Sequence, residues 1–120
     1  MNEPITVRVQ NEDFDVTAEL QSLRLLSKKV GAVVSFVGIV RDLNEGANVA
    51  TLYLEHYPGM TESSISAIVN EAFQRWDLLG ATVIHRIGPL EPSDQIVLVA
   101  VSSSHRGAAF QSCEFIMDYL

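Results

Sequence analysis

His105 and Arg106 stand side by side in "SSSHRGAA", directly after the apolar run "QIVLVAV" and before an amphipathic C-terminal segment. If a helix starts near Ser104, its first backbone N–H groups lack intrahelical acceptors and carry the positive end of the helix dipole. An imidazole and a guanidinium at that end add donors, and together these groups suit a phosphate or a carboxylate. The same pattern allows a plain helix start, with Ser104 as N-cap, Arg106 solvated and His105 at the rim of the core. Two adjacent cations at a helix N-terminus are unfavourable without an anion, which is an argument for one. Arg41 offers similar chemistry elsewhere. It follows the run "GAVVSFVGIV" and opens a segment of turn formers, Asp42, Asn44, Gly46 and Asn48. A guanidinium there can meet a ligand at a sheet edge, or pair with Asp42 or Glu45 at little gain in stability.

Other polar groups carry weaker signals. "EHYPGM" puts Glu55, His56 and Tyr57 at a strand end before a proline turn, and His56 is either an acid–base group or a packed core imidazole. In "HRIG", His85 and Arg86 point to opposite faces of a strand and read as structural. Cys113 falls on an apolar helical stripe, as a small buried hydrophobe does. As the only cysteine, it excludes an internal disulfide and any multi-cysteine metal site. There is no glycine-rich phosphate loop, nucleophile elbow or HExxH motif.

The elements that must position these groups follow from periodicity. "ITVRV" alternates like a short first strand, and "TAELQSLRLLSKK" is a helix with Leu20, Leu23 and Leu26 or Leu25 on one face. Gly31 stops that helix, and "AVVSFVGIV" reads as a central strand. "ATLYLEHY" is a further strand ended by Pro58-Gly59. Thr61 can cap a helix whose buried stripe is Ile65, Ile68, Val69, Ala72 and Trp76. "ATVIHRIG" is a strand, "PLEPSD" a loop held by two prolines, and "QIVLVAVSS" the most apolar and therefore central strand. The last helix turns Ala109, Cys113, Ile116, Met117 and Leu120 to one side. Tight strand-to-strand turns among these elements predict an α+β fold with a mixed or antiparallel sheet and about three helices.

The bulk numbers agree with one domain over residues 1–120: 48% hydrophobic and 19% charged residues describe a globular chain. Its net charge of −7 argues against a nucleic-acid surface. No apolar run is long enough for a membrane span, and the N-terminus lacks a signal-peptide pattern, so a cytoplasmic protein is expected.

In series, "GAVVSFVGIVRD", "LYLEHYPGMTE", "VIHRIGPLEPSD" and "SSSHRGAAFQSCEFIMDYL" resemble the large, catalytic subunit of molybdopterin synthase from about Gly31 to Leu120. The resemblance implies an α/β-hammerhead-like two-layer sandwich and a sulfur-transfer activity without metal or cofactor. It implies as partner a small ubiquitin-like sulfur-carrier subunit with a thiocarboxylated C-terminus, and as substrate cyclic pyranopterin monophosphate, converted to molybdopterin during molybdenum cofactor biosynthesis. It also implies a homodimer within a heterotetramer. By the same resemblance, Arg41, His105 and Arg106 bind substrate, together with Ile39 and Val40 beside them. Ile39 departs from the pattern, which has a lysine or arginine there. The family's catalytic lysines correspond to positions after Leu120, so no catalytic residue is assigned, and a non-catalytic homologue that keeps the fold and its binding surfaces is the alternative.

Overall fold

The computed structural model describes residues 4–42, 52–54 and 61–120, the middle segment by its backbone. The elements run β1 (Ile5–Gln10), α1 (Val16–Arg24), β2 (Ala32–Ile39), β3 (Leu52–Leu54), α2 (Glu62–Arg75), β4 (Leu78–Arg86), β5 (Gly88–Leu90), β6 (Gln95–Ser103) and α3 (Arg106–Met117). Four strands form one sheet in the order β1-β4-β6-β2, and β3 pairs with β5 in a two-stranded ribbon. β1 runs parallel to β4, while β4–β6 and β6–β2 are antiparallel. The α+β class, the mixed sheet and the three helices agree with the sequence reading.

Alternation of side chains divides β4 and β6 between two apolar clusters. Ala81, Val83, Val97, Val99 and Val101 face Ile65, Val69 and Ala72 of α2 and Cys113 and Ile116 of α3. Ile84, Leu98 and Ala100 face the other way, onto Leu23 of α1 and Phe14. On the larger side α2 lies over β1 and β4, and α3 over β6 and β2.

Local chemistry explains the helix ends. Asp15 caps α1 by accepting from the Ala18 N–H at 3.2 Å, and Thr61 caps α2 by accepting from the Ser64 N–H at 3.0 Å. α1 is shorter than its pattern predicts. It ends at Arg24, because the Ser27 hydroxyl accepts the Lys29 N–H at 3.0 Å and turns the chain before the lysines. Leu23 is buried and Leu25 exposed.

Two expectations need correction. β6 is central as expected, but β2 is the edge strand of the described sheet. Its apolar run reflects half-burial beneath helices on both faces, not strands on both sides. The "PLEPSD" segment is also not all loop: Pro89 lies within β5, opposite Tyr53 of β3. The reversal follows at Glu91–Asp94, where the Asp94 carboxylate accepts the Glu91 N–H at 2.9 Å and Ser93 adopts φ 79°.

Candidate functional site

The start of α3 is assembled largely from backbone. Ser103 ends β6, donates from its hydroxyl to the Asp77 carbonyl at 2.7 Å and accepts the His105 N–H at 3.2 Å. The Gly31 N–H donates to the Ser103 carbonyl at 3.0 Å. A β-carbon at Gly31 would lie 2.4 Å from the Ser104 carbonyl oxygen, so only glycine lets the two loops touch there. His105, not Ser104, occupies the N-cap position, and its ring makes no capping bond. No acidic residue sits in the first turn, and at Gly107 a side chain would meet nothing within 4 Å. The opening N–H groups of α3 therefore face outward beside two exposed basic side chains, His105 and Arg106. That arrangement can hold an anion by dipole, N–H donors and charge together.

Arg41 belongs to a different place. Val40 is buried, its N–H donates to the Asp94 carbonyl at 2.9 Å, and its own carbonyl accepts the Ser93 N–H at 2.8 Å. Val40 thus anchors the strand end to the Glu91–Asp94 turn, while Ile39 and Arg41 on either side stay exposed. Among the described residues Arg41 makes no ion pair. Glu45, its other proposed surface partner, lies outside the described residues.

The structure does not bring the predicted site residues together in one chain. In the β2–β6 register Ala32 pairs with Ser103 and Ile39 with Gln95, which puts Arg41 and the His105–Arg106 pair at opposite ends of β2. At a strand rise of about 3.3 Å per residue the two ends are roughly 25 Å apart. One small molecule cannot touch both within a single chain.

The remaining candidates fall into place. The Arg86 guanidinium donates to the Asn11 carbonyl from Nε at 3.1 Å and from Nη2 at 3.0 Å, and to the Gln95 carbonyl from Nη1 at 3.0 Å, so it is a structural tie. His85 is buried and donates from Nδ1 to the Arg86 carbonyl at 2.8 Å, and burial holds its pKa below the usual imidazole value. Burial likewise pushes the Cys113 thiol up to about 11, which makes it a core residue rather than a nucleophile. Glu55, His56 and Tyr57 lie outside the described residues, as do Asn44, Gly46, Asn48, Pro58 and Gly59. Among the described residues no group of histidine, cysteine and carboxylate side chains could hold a metal ion. Among them also, no helix is long and apolar enough to cross a membrane. The sequence pattern missed the Ser103–Asp77 bond and the role of Gly31, because both depend on loops brought together only by folding.

Comparison with known proteins gives a consistent picture. Residues 9–120 match the family described as MoaE protein. The chain is 61% identical over 115 residues to a molybdopterin synthase catalytic subunit of Ralstonia nicotianae, an alignment covering 96% of this chain and 65% of that protein. The solved structure of a molybdopterin biosynthesis MoaE protein from Burkholderia ambifaria superimposes with a TM-score of 0.86 at 52% identity, over 97% of this chain and 76% of that one. A complex of subunits 1 and 2 of molybdopterin-converting factor from Helicobacter pylori shares the fold, with a TM-score of 0.73 at 17% identity over 97% of this chain and 76% of that one.

Proposed function

This chain belongs to the MoaE family, and from that premise we propose that it acts as a sulfurtransferase in molybdenum cofactor biosynthesis. In this reading a small ubiquitin-like carrier brings sulfur as a C-terminal thiocarboxylate, and the sulfur passes to cyclic pyranopterin monophosphate to form molybdopterin. A relative of the same fold is described as a complex of two subunits, which supports the carrier as partner.

The observation that carries the reading is the uncapped start of α3 with His105 and Arg106 at its mouth, in a chain of net charge −7. An anion is the occupant that such a seat suits. A cyclic phosphate is one such anion, and the negative acyl intermediate on the carrier's C-terminus is another; both gain from fixed donors in place before the reaction. Arg41 is the third donor. Because β2 separates it from the pair, a homodimer is part of the proposal: Arg41 of one copy and His105 and Arg106 of the other serve one substrate. Ile39 and the anchored Val40 shape the wall beside Arg41.

The test is conversion of the pyranopterin precursor by thiocarboxylated carrier, in a protein that extends through the lysine positions the resemblance places after Leu120. His105→Ala and Arg106→Ala are each expected to lower it by about 100-fold or more, the usual loss for one donor to a developing anion. Unchanged turnover in both variants overturns their roles. A second reading, a binding module that keeps the carrier and substrate surfaces without chemistry, is favoured by the apolar Ile39 where the resemblance expects a cation. Molybdopterin formed by the wild-type chain excludes it.

A further inference from the structure

The α1 face of the sheet carries a polar cleft that the anion seat does not use. Thr6 of β1 and Thr82 of β4 are register partners, and alternation turns their side chains towards α1, while Val7 and Val83 face α2. Farther along the same face Ile84, Leu98 and Ala100 pack on Phe14 and Leu23 as dry core. Around the two threonines that packing gives way to a cleft of about 280 Å³. The threonines belong to its sheet side and Leu23 and Leu26 to its helix side, and Arg8 and Glu19 join the two sides as an ion pair. Among the described residues only two buried side-chain polar atoms lack a hydrogen-bond partner, Arg8 Nε and Ser102 Oγ, and both belong to this region. Arg8 lines the cleft. Ser102 Oγ lies behind its leucines, 3.1 Å from where a β-carbon on Gly80 would sit between Leu23 and Leu26. A core alone would call for aliphatic side chains at Thr6, Arg8 and Thr82, because a polar group beneath a helix loses solvation that only a partner restores.

We propose that this cleft binds a small, flat, uncharged heterocycle through a lactam edge, one that presents N–H donors beside a carbonyl oxygen. Three observations select the class. First, the Arg8–Glu19 pair is neutral, so unlike the start of α3 it exerts no net pull on a phosphate or a carboxylate. It offers an acceptor and donors side by side instead: the Glu19 oxygens for ring N–H groups and the Arg8 guanidinium for a ring carbonyl. Second, both groups are within reach, with side chains 43% exposed for Arg8 and 21% for Glu19. Among the described residues the guanidinium is held only at Nη2, by Glu19, so a small pivot about that bond brings the unpaired Nε–H to a ligand oxygen. Third, the volume suits one or two fused rings, which can lie flat against Leu23 and Leu26 with their polar edge towards the pair. The 2-amino-4-oxopyrimidine ring is the fullest match. Its ring N–H and amino group are adjacent donors for one carboxylate, and its oxygen is an acceptor for one guanidinium. Guanine and the pterins share that ring. The cleft lies on the opposite face of the sheet from α3 and does not rest on the reading of the anion seat.

Backbone amide chemical shifts of the isotope-labelled chain, followed on titration with pterin, guanosine and adenosine, test the site. Pterin, guanosine or both are expected to move the signals of Thr6, Arg8, Glu19 and Thr82, and the tighter binder of the two identifies the source of the ring. Adenosine, which has no lactam edge, is expected to move none of these signals. Glu19→Gln keeps the side-chain shape and an oxygen for Arg8 but turns one acceptor into a donor, and is expected to weaken binding by about tenfold or more. Arg8→Met keeps the aliphatic stem and removes every guanidinium donor. It is expected to cause a loss of the same order, and it decides the matter should Glu19→Gln fail to fold. No shift with either lactam ring, equal shifts with adenosine, shifts confined to the start of α3, or full binding by the folded variants overturns the proposal. The probes carry neither phosphate nor thiocarboxylate, so failure here leaves the proposed sulfur transfer standing, and failure of precursor conversion leaves the cleft standing.

Discussion

The two ends of the β2–β6 pair offer cations to a ligand by opposite means. At the α3 end the seat is mostly main chain, fixed by the Ser103–Asp77 bond and the close approach of Gly31 to Ser104. At the other end a single side chain, Arg41, projects from a strand whose last buried residue, Val40, is tied to a tight turn. Backbone donors cannot be deleted by truncating a side chain, only by moving the chain that carries them. An arginine on an anchored strand can be deleted with little disturbance to the fold. Disturbing the main chain at the α3 end should therefore cost function and stability together, and truncating Arg41 should cost function alone.

The sharpest break in this comparison is Gly31→Val. The new β-carbon would meet a carbonyl oxygen at 2.4 Å, a backbone contact with no side chain free to swing away. Denaturant unfolding should show a loss of about 3 kcal/mol or more, and the anion seat should be lost with it. Next comes a pair of arginines at the Arg41 end. Arg86→Ala strands the Asn11 and Gln95 carbonyls and should lower stability by about 2 kcal/mol. Arg41→Ala should change stability by less than about 0.5 kcal/mol while lowering precursor conversion sharply. Equal destabilisation by the two would show that Arg41 is not free for a ligand. Ser103→Ala, which removes the bond to Asp77 and the acceptor for the His105 N–H, should lower stability by about 1 kcal/mol and weaken conversion in parallel.

The smallest effect is a pH dependence. His85 is held neutral by burial, so its folded pKa lies below its unfolded value of about 6.5. The unfolded chain then binds the extra proton first as pH falls. Stability is full above about pH 6.5 and declines as pH drops from there through the folded value. Thermal unfolding between pH 7.5 and 5 should show this slope, and His85→Gln should flatten it. An unchanged slope would assign the acid sensitivity to other groups.

Much of the fold was legible because it rests on local signals. Thr61 caps α2 as expected, Ile65, Val69 and Ala72 of the expected stripe are buried, and "QIVLVAVSS" is a central strand, as its continuous apolar run implied. The place of β2 was not legible. A strand half-covered by helices on both faces has the same composition as one flanked by two strands, and only the pairing partners distinguish them. The candidate residues Arg41, His105 and Arg106 stood out by type and by position at strand and helix ends. Their separation could not be read from the sequence, because the direction of β2 relative to β6 decides which strand ends share a side of the sheet. Ser104 was the natural N-cap by residue type, but His105 takes that position, and it is Ser103 whose hydroxyl bonds Asp77 and accepts the His105 N–H.

The central claim is that one substrate site draws Arg41 from one copy and the His105–Arg106 pair from the other. Mixing Arg41→Ala chains with Arg106→Ala chains, after dissociation and reassociation, tests it directly. Each variant alone should convert the precursor at near-background rates. In an equal mixture half the dimers pair the two variants, and each mixed dimer holds one intact site of its two. Conversion should therefore recover to about a quarter of the wild-type rate. A mixture no more active than the mean of its two components would contradict the shared site.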